Sequence, residues 1–284
     1  MSDNRRNLTL LTAGVLLAVL TAVCAFDFSS LPYFDGPSKA QAAEVASSDE
    51  DATNAADAER LLEDARRRML AYSSIEARIE YATKSPPAAG DGRYWERGAL
   101  KRRFELKMRG MENATLLQIN DGKMLWTRCT TPRDAMTAEQ PNATPPHSPQ
   151  LHLAELGLLG LLTQVQQDYD VNLAGSGQLA GESVFVLKGV LSQETLTRLS
   201  PKRGEEIRSG AFSAWSELPG DIPASIVLAL GSEDAVPRRI QFRAIDEGVR
   251  LADWPQAESQ ETLTIDLREL QINRSILAEV FTHP

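Results

Sequence analysis

The sequence predicts an α+β domain in which one large antiparallel sheet has a polar face and a second face covered by helices. Three observations lead to this fold class. An amphipathic helical pattern opens the folded part of the chain, and several segments with strand-like alternation follow it. A separate Leu-rich segment is apolar on nearly every side, so it must be buried on more than one side.

The N-terminus has the pattern of an export signal or a membrane anchor. Arg5 and Arg6 precede an uncharged run, Leu8–Phe26, which is just long enough to span a bilayer. Val23-Cys24-Ala25 also fits signal cleavage after Ala25, and Cys24 leaves a lipid-modified N-terminus open. Residues 27–53 are rich in Ser, Ala, Pro, Asp and Glu, which predicts a flexible linker before a domain at 54–284. Such a linker favours a retained anchor over cleavage, and every alternative places the domain outside the cytoplasm.

The first helix and the first strand of the domain are predicted from a change in the spacing of apolar residues along the chain. Residues 55–72 repeat apolar side chains at helical spacing, with charged residues on the other face. Ile75, Ala77 and Ile79 then alternate with charged residues, which predicts a half-buried strand. Pro86-Pro87 and Gly90–Gly92 are expected to form a turn.

A second alternating strand covers residues 100–109. Leu100, Phe104, Leu106 and Met108 point to one side, and basic and acidic residues point to the other. Arg102 falls on the apolar side, where it either sits at a cavity rim or extends from the sheet end to water; we favour extension to water. Arg66-Arg67-Arg68 and Lys101-Arg102-Arg103 are interpreted as solvated faces.

A hairpin and a buried helix complete the apolar face. Asp121-Gly122 is a turn signal between strands at 116–119 and 124–129. Residues 130–149 are expected to be a loop. The Leu-rich helix Leu151–Leu162 follows and contains Gly157 and Gly160, which allow close approach or movement.

The second half of the chain predicts more strands around an insert. The strands are expected at 171–173, 183–190, 225–230, 238–245 and 262–272. The segment Ser192–Leu218 between them is predicted to be helical and interrupted by Pro201, Gly204 and Gly210. Gly175-Ser176-Gly177 and Gly181 lead into a strand rather than a helix, so this stretch is interpreted as a turn and not as a nucleotide-binding loop.

Composition excludes several functions. The formal net charge of -9 disfavours nucleic acid as a partner. Cys24 and Cys129 cannot form a disulfide framework or a cysteine zinc site, and Cys129 is interpreted as a buried apolar residue. His147 and His152 have no carboxylate partner, and His283 has no evident partner. We therefore predict no cofactor, no metal and no catalytic set, so the protein is not expected to be an enzyme.

Three short motifs, taken in their order along the chain, resemble the LolA-like periplasmic carriers of bacterial lipoproteins. They are the strand end Tyr94-Trp95-Glu96-Arg97, the hairpin Asp121-Gly122-Lys123-Met124-Leu125-Trp126 and the closing segment Ala278–Pro284. The resemblance implies an unclosed β-barrel, a large curved antiparallel sheet with helices covering its concave face. It also implies that Arg97 holds a helical lid closed. Three features depart from the family: Gly98 stands where the family has Pro, the Ser192–Leu218 segment is longer than the carriers need, and the N-terminal linker and possible anchor do not suit a shuttle that crosses the periplasm.

On this resemblance the expected function is binding of the acyl chains of a lipid or lipoprotein in the cell envelope, in an apolar groove under a helical lid. Lipoprotein sorting is one form of that function. The groove is expected to be lined by Ile75, Ala77, Ile79, Leu100, Phe104, Leu106 and Met108 on the sheet, and by Leu153, Leu156 and Leu159 on the lid. The alternative is a membrane-tethered interaction or sensing module whose core is filled. Close packing of protein interiors favours a filled core over an open cavity.

Overall fold

The computed structural model describes residues 48–84, 87–109, 114–130, 135–141, 153–219, 222–255, 257 and 259–282. The predicted signal or anchor, Cys24, Leu151 and the three histidines lie outside these residues, as do positions 27–47 of the predicted linker. No helix among the described residues is both long and apolar enough to cross a membrane.

Four helices and eleven strands make up the described chain. The helices are α1 (Ser48–Ala71), α2 (Leu153–Asp168), α3 (Gln193–Leu199) and α4 (Gly204–Arg208). The first six strands are β1 (Ser74–Lys84), β2 (Pro87–Arg97), β3 (Lys101–Met108), β4 (Thr115–Asp121), β5 (Met124–Thr130) and β6 (Ala135–Pro141). The remaining five are β7 (Tyr169–Leu179), β8 (Glu182–Leu191), β9 (Ser225–Gly231), β10 (Pro237–Ile245) and β11 (Ser259–Ile272).

All eleven strands belong to one sheet with the order β6-β5-β4-β3-β2-β1-β11-β10-β9-β8-β7. Every neighbouring pair is antiparallel, and β6 and β7 are its two edges, so the sheet does not close. Bulges in the β1–β11, β10–β11, β9–β10 and β7–β8 ladders bend the strands and increase the sheet's twist. The predicted α+β class and the open antiparallel sheet are confirmed.

Several boundaries differ from prediction. Helix α1 begins at Ser48, so the last part of the predicted linker is helical. Gly90–Gly92 lies inside β2 rather than in a turn. A Cβ at Gly92 would overlap the carbonyl of Glu105 on β3, so glycine permits a close approach of the two strands.

Two further segments are strands where loops or turns were predicted. Residues 135–141 form the edge strand β6, within the segment that was predicted to be a loop. Gly175–Gly177 continues β7, and a bulge follows Leu173, whereas Gly181 does lie in the β7–β8 turn with a φ of 87°. The interrupted helical insert is confirmed as α3 and α4 with short 3-10 turns around them.

The core lies between one face of the sheet and the helices. Ala58, Leu62 and Ala65 of α1 are at most 1% exposed, as are Ile79 of β1 and Leu228 of β9. Residues 210–213 of the insert pair through backbone hydrogen bonds with residues 248–252, and Phe212 and Trp215 join the same apolar cluster. The helices and the insert thus cover the apolar face of the sheet, and the charged face remains outside.

A candidate apolar groove and its helical cover

Most of the predicted groove residues lie on the covered face. Six of them are buried in the main apolar cluster: Ile75, Ala77, Ile79, Phe104, Leu106 and Leu153. Met108 and Leu159 are half-buried and pack against that cluster. Strand alternation therefore assigned the covered face correctly for β1 and β3, and helix α2 lies over it as the sequence predicted.

Two predicted groove residues are placed differently. Leu100 is 61% exposed, because it lies in the turn before β3 and not in the strand. Extending the alternation of β3 back into that turn was wrong. Leu156 is half-buried on α2 and is not among the residues that pack on the main cluster.

Much of the covered face is packed beneath the helices. Leu158, Leu161, Leu162 and Val165 of α2 are fully buried, and so is Ile79 on the covered face of the sheet. These side chains belong to one apolar cluster, which is the arrangement that close packing favours.

Two cavities formed by the described residues are lined by no side chain of α2. A depression of about 590 Å³ lies on strands β1–β4 and β11, with Glu76, Arg93, Glu105 and Glu269 among its lining residues. These side chains belong to the charged face of the sheet. A gap of about 10 Å³ between Met69, Ile75 and Glu96 is no larger than one water molecule needs.

Helix α2 is interrupted at Gly157, which has φ 70° and ψ -179°. Few residues other than glycine adopt this conformation without strain. A Cβ at this position would also overlap Arg102 and Glu96 on the sheet. The helix therefore consists of an N-terminal turn, residues 153–156, and a longer C-terminal part that starts at Leu158.

Two charged side chains of the sheet hold this interruption in place. Arg102 Nη1 donates a hydrogen bond of 2.6 Å to the carbonyl of Glu155, and Arg102 also donates to the carbonyl of Ala99. Glu96 Oε2 accepts from the backbone N–H of Leu158 at 3.1 Å. The two side chains face each other across β2 and β3, and 3.5 Å separates Arg102 Nε from Glu96 Oε1. We call Glu96, Arg102 and the backbone of residues 155–158 the polar latch.

The polar latch is isolated from solvent. The side chains of Glu96 and Arg102 are each 8% exposed. Tyr94 Oη donates a further 2.7 Å hydrogen bond to Glu96 Oε2. Burial raises the pKa of Glu96 above its ordinary value, and Arg102 opposes this shift only in part. Burial likewise raises the pKa of Tyr94, so this phenol stays protonated as a donor.

Arg97 does not contact α2. It is exposed on the opposite side of β2, and its guanidinium donates to the carbonyl of Ile276 at 3.4 Å. The contact with the covering helix that was expected of Arg97 is made by Arg102 instead. Extension of Arg102 to water was also wrong, because its side chain is buried and bonded to α2.

The C-terminal segment packs on the outer face of the sheet. Arg103 Nη1 donates to the carbonyl of Val280 at 2.9 Å, and Phe281 is 2% exposed. Ile119 points to this same face by alternation and is 1% exposed beneath the segment. Residues 278–282 thus cover part of β3 and β4 on the face opposite to α2.

Sequence reasoning missed Glu96 although a signal was present. Tyr94, Glu96 and Arg97 were noted only as part of a motif, and α2 was noted for its two glycines. An acidic residue on the covered face of β2, directly across from a basic one on β3, indicates a buried pair. That pairing depends on the strand register, which the alternation of one strand does not supply.

Arg66 also differs from its predicted solvated position. Its side chain lies between the helices, where Nε donates to Thr163 Oγ1 at 3.1 Å and Nη1 donates to Gln166 Oε1 at 2.7 Å. Among the described residues, no group of three or more His, Cys, Asp or Glu side chains is arranged to hold a metal.

No protein-family model matches the sequence, and no curated protein is significantly similar to it. Solved structures do resemble it. LprF from Mycobacterium bovis is 13% identical, with 78% of this chain and 96% of that chain covered and a TM-score of 0.42. A LolA superfamily protein from Nitrosomonas europaea is 12% identical, with 80% and 97% covered and a TM-score of 0.32. MucB is 13% identical with a TM-score of 0.43, and the match covers 81% of this chain but only 63% of MucB.

These matches include the superfamily that the three motifs resemble.

Proposed function

We propose that the protein binds an apolar chain, of the kind carried by a lipid or a lipoprotein, between its sheet and helix α2, in a compartment outside the cytoplasm. The observation that supports this proposal is the attachment of α2. Its C-terminal part covers the sheet mainly through apolar packing, and at its N-terminal turn the polar latch adds to the burial of Leu153 and Ala154. A cover with one polar fastening is suited to opening at that end.

The proposed ligand replaces the cover rather than filling an empty cavity. Opening at the latch exposes Phe104 and Leu106 of β3, and the ligand's methylene groups then occupy the surface that α2 leaves. Burial contributes about 0.8 kcal/mol per CH₂, so a long acyl chain offsets the leucine contacts that are lost. The ligand selects an open state that is a minor species without it.

A role in lipoprotein sorting is a more specific form of this proposed binding function. It requires that a bound chain be passed to a second protein or to a membrane, and the reversible polar fastening of α2 is compatible with such a transfer.

A second function is favoured by the packing of the core. The side chains of Leu158, Leu161 and Leu162 are fully buried in the main apolar cluster. A tethered interaction or sensing module needs no internal ligand, and it would present its outer face or the insert at residues 192–218 to a partner.

The two functions are separated by binding of a fluorescent fatty-acid probe to the delipidated full chain. Arg102→Met releases the latch without adding a charge, so we expect it to bind the probe more tightly than the wild type. Phe104→Asp places a carboxylate in the groove and should weaken binding at least about tenfold, because burying an unpaired charge is costly.

The matched control is Leu117→Asp. Leu117 lies on the neighbouring strand β4 but on the outer face, opposite Glu105, and it is half-buried. Since every variant keeps residues 1–26, binding to that apolar segment is the same in all of them. Equal binding by all four proteins, or no binding even by Arg102→Met, would contradict the proposal and favour the interaction module.

A further inference from the structure

Three large apolar side chains of the described chain are mostly exposed: Leu70 (67%), Leu100 (61%) and Leu277 (71%). Single exposed leucines are common on protein surfaces and need no explanation. These three come from distant parts of the sequence, yet the fold brings them to the same end of the sheet.

Leu70 and Leu100 are connected through the start of β1. Leu70 lies in the last turn of α1, and the carbonyl of Ser73, just after that helix, accepts a 3.0 Å hydrogen bond from the N–H of Gly98. Gly98 opens the β2–β3 turn that contains Leu100. The β4–β5 turn adjoins it, because a Cβ at Gly122 would lie 3.4 Å from Leu100 Cβ.

Leu277, which follows β11 in the C-terminal segment, lies at this same end of the sheet. Strand β11 ends beside β1, where the N–H of Asn273 donates to the carbonyl of Ser74 at 2.9 Å. The chain then crosses the end of β2, where Arg97 bonds the carbonyl of Ile276, the residue before Leu277. We call this end of the sheet, with its three leucines and the turns at 98–100 and 121–123, the leucine rim.

Positive charge surrounds the leucine rim, although the whole chain carries a net charge of -9. Its exposed cations are Arg67, Arg97, Lys101, Lys123 and Arg274. Asp64 pairs with Arg68 at 2.7 Å and lies 3.9 Å from Arg67, and Asp121 accepts from the backbone N–H groups of Lys123 and Met124. Glu279 is exposed close to Leu277, and Glu233, whose carbonyl accepts from Arg68, is exposed near the end of α1. With Arg68, the six basic side chains named here outnumber these four carboxylates, so the balance at this end is basic.

We propose that the leucine rim docks on the surface of an anionic lipid bilayer. Protruding leucines enter the boundary between headgroups and acyl chains, while the surrounding arginines and lysines meet lipid phosphates. A bilayer fits better than a protein partner, because the leucines project from separate turns instead of forming one helix or strand face. The docking does not depend on the groove binding any ligand.

The polar latch lies at the same end of the sheet as the leucine rim. Arg102 lies two residues after Leu100, at the start of β3, so the fastened end of α2 is at the same end of the sheet as the rim. A protein docked through the rim therefore presents the opening of its groove to the lipid.

The test is hydrogen–deuterium exchange of the full chain with vesicles of mixed phosphatidylglycerol and phosphatidylcholine. We expect protection of residues 67–73, 98–101, 121–124 and 274–279, with much less protection by pure phosphatidylcholine vesicles. Protection only at the opposite end of the sheet, or none in these four segments, would overturn the proposal.

Matched variants separate the rim from the N-terminal apolar segment, which all of them keep. The double variant Leu100→Ser with Leu277→Ser should lower vesicle affinity about tenfold or more, since it removes two exposed apolar side chains. Lys101→Gln with Lys123→Gln should lower affinity for anionic vesicles. The control is Lys188→Gln with Lys202→Gln, which makes the same change in net charge at exposed positions away from the rim. Equal effects of the two lysine pairs would contradict docking through the rim.

Discussion

The two parts of helix α2 are attached to the sheet in different ways. After Gly157, Leu158, Leu161 and Leu162 have no exposed surface and are held by apolar packing spread over many contacts. Before Gly157, Leu153 and Ala154 are also buried, but the carbonyl of Glu155 is bound by side chains of the sheet, Arg102 at 2.6 Å and Asn120 at 3.5 Å. Distributed packing fails only with the whole core, whereas a few polar contacts at one point can open locally. The comparison predicts which substitutions unfold the protein and which only loosen the cover.

The largest expected effect is on the packed part. Leu161→Ala removes a fully buried side chain and should lower the free energy of unfolding by about 3 kcal/mol, because the cavity it leaves is only partly filled by relaxation. The measurement is denaturant unfolding followed by circular dichroism. Leu70→Ala is the control: its side chain is 67% exposed, and we expect a change within about 0.5 kcal/mol. Similar losses in the two variants would contradict the packed arrangement beneath α2.

Removal of the latch should have a smaller and more local effect. Arg102→Met deletes the hydrogen bonds to the carbonyls of Glu155 and Ala99 and leaves Glu96 without its counter-charge. We expect a loss of about 2 kcal/mol, since Glu96 can take up a proton in the variant. Amide exchange should accelerate most at residues 153–158 and much less at 161–165. Uniform acceleration along α2 would show that its two parts are not independent.

The sequence indicated the packed part of this comparison far better than the latch. The apolar periods of α1, β1 and β3 identify one face without reference to any other strand, so the burial of Ile79 and Phe104 was predictable. Arg102 was assigned to water because a lone arginine on an apolar strand face normally extends there. A buried arginine needs a charged partner, and the pairing of β2 with β3 places that partner, Glu96, opposite Arg102. The sequence did not predict this pairing, because the Gly90–Gly92 segment of β2 was predicted to be a turn.

Glu96 gives the latch a pH dependence that the packed part lacks. Burial raises its pKa above the ordinary value of 4.5, so the folded state holds this proton more tightly than the unfolded chain. Its contribution to stability is therefore complete below about pH 4.5 and is lost as the pH rises through the folded pKa. The unfolding free energy of the wild type minus that of Glu96→Gln should fall with rising pH, by at most about 1.4 kcal/mol per pH unit.

Asp121 provides the opposite case for that measurement. Hydrogen bonds from the N–H groups of Met124 and Lys123 hold its pKa below the ordinary 3.8. Its contribution is present above that pH and is lost as the pH falls. The difference between the wild type and Asp121→Asn should thus rise with pH, and a slope of the same sign for both variants would refute the assignment of Glu96 as a carboxyl whose pKa is raised.

The smallest expected effect is that of Arg97→Gln, and it distinguishes Arg97 from Arg102. Arg97→Gln removes an exposed side chain whose bond to the carbonyl of Ile276 is 3.4 Å long, so stability should change by no more than about 0.5 kcal/mol. Exchange at residues 153–158 should remain at the wild-type rate, because Arg97 lies on the opposite face of β2 from the latch. Any acceleration should be confined to the C-terminal segment near residues 276–280. If Arg97→Gln instead released the turn at 153–156 as strongly as Arg102→Met, then Arg97 would hold the cover, as the motif at Tyr94–Arg97 implied, and the latch would have to be reassigned.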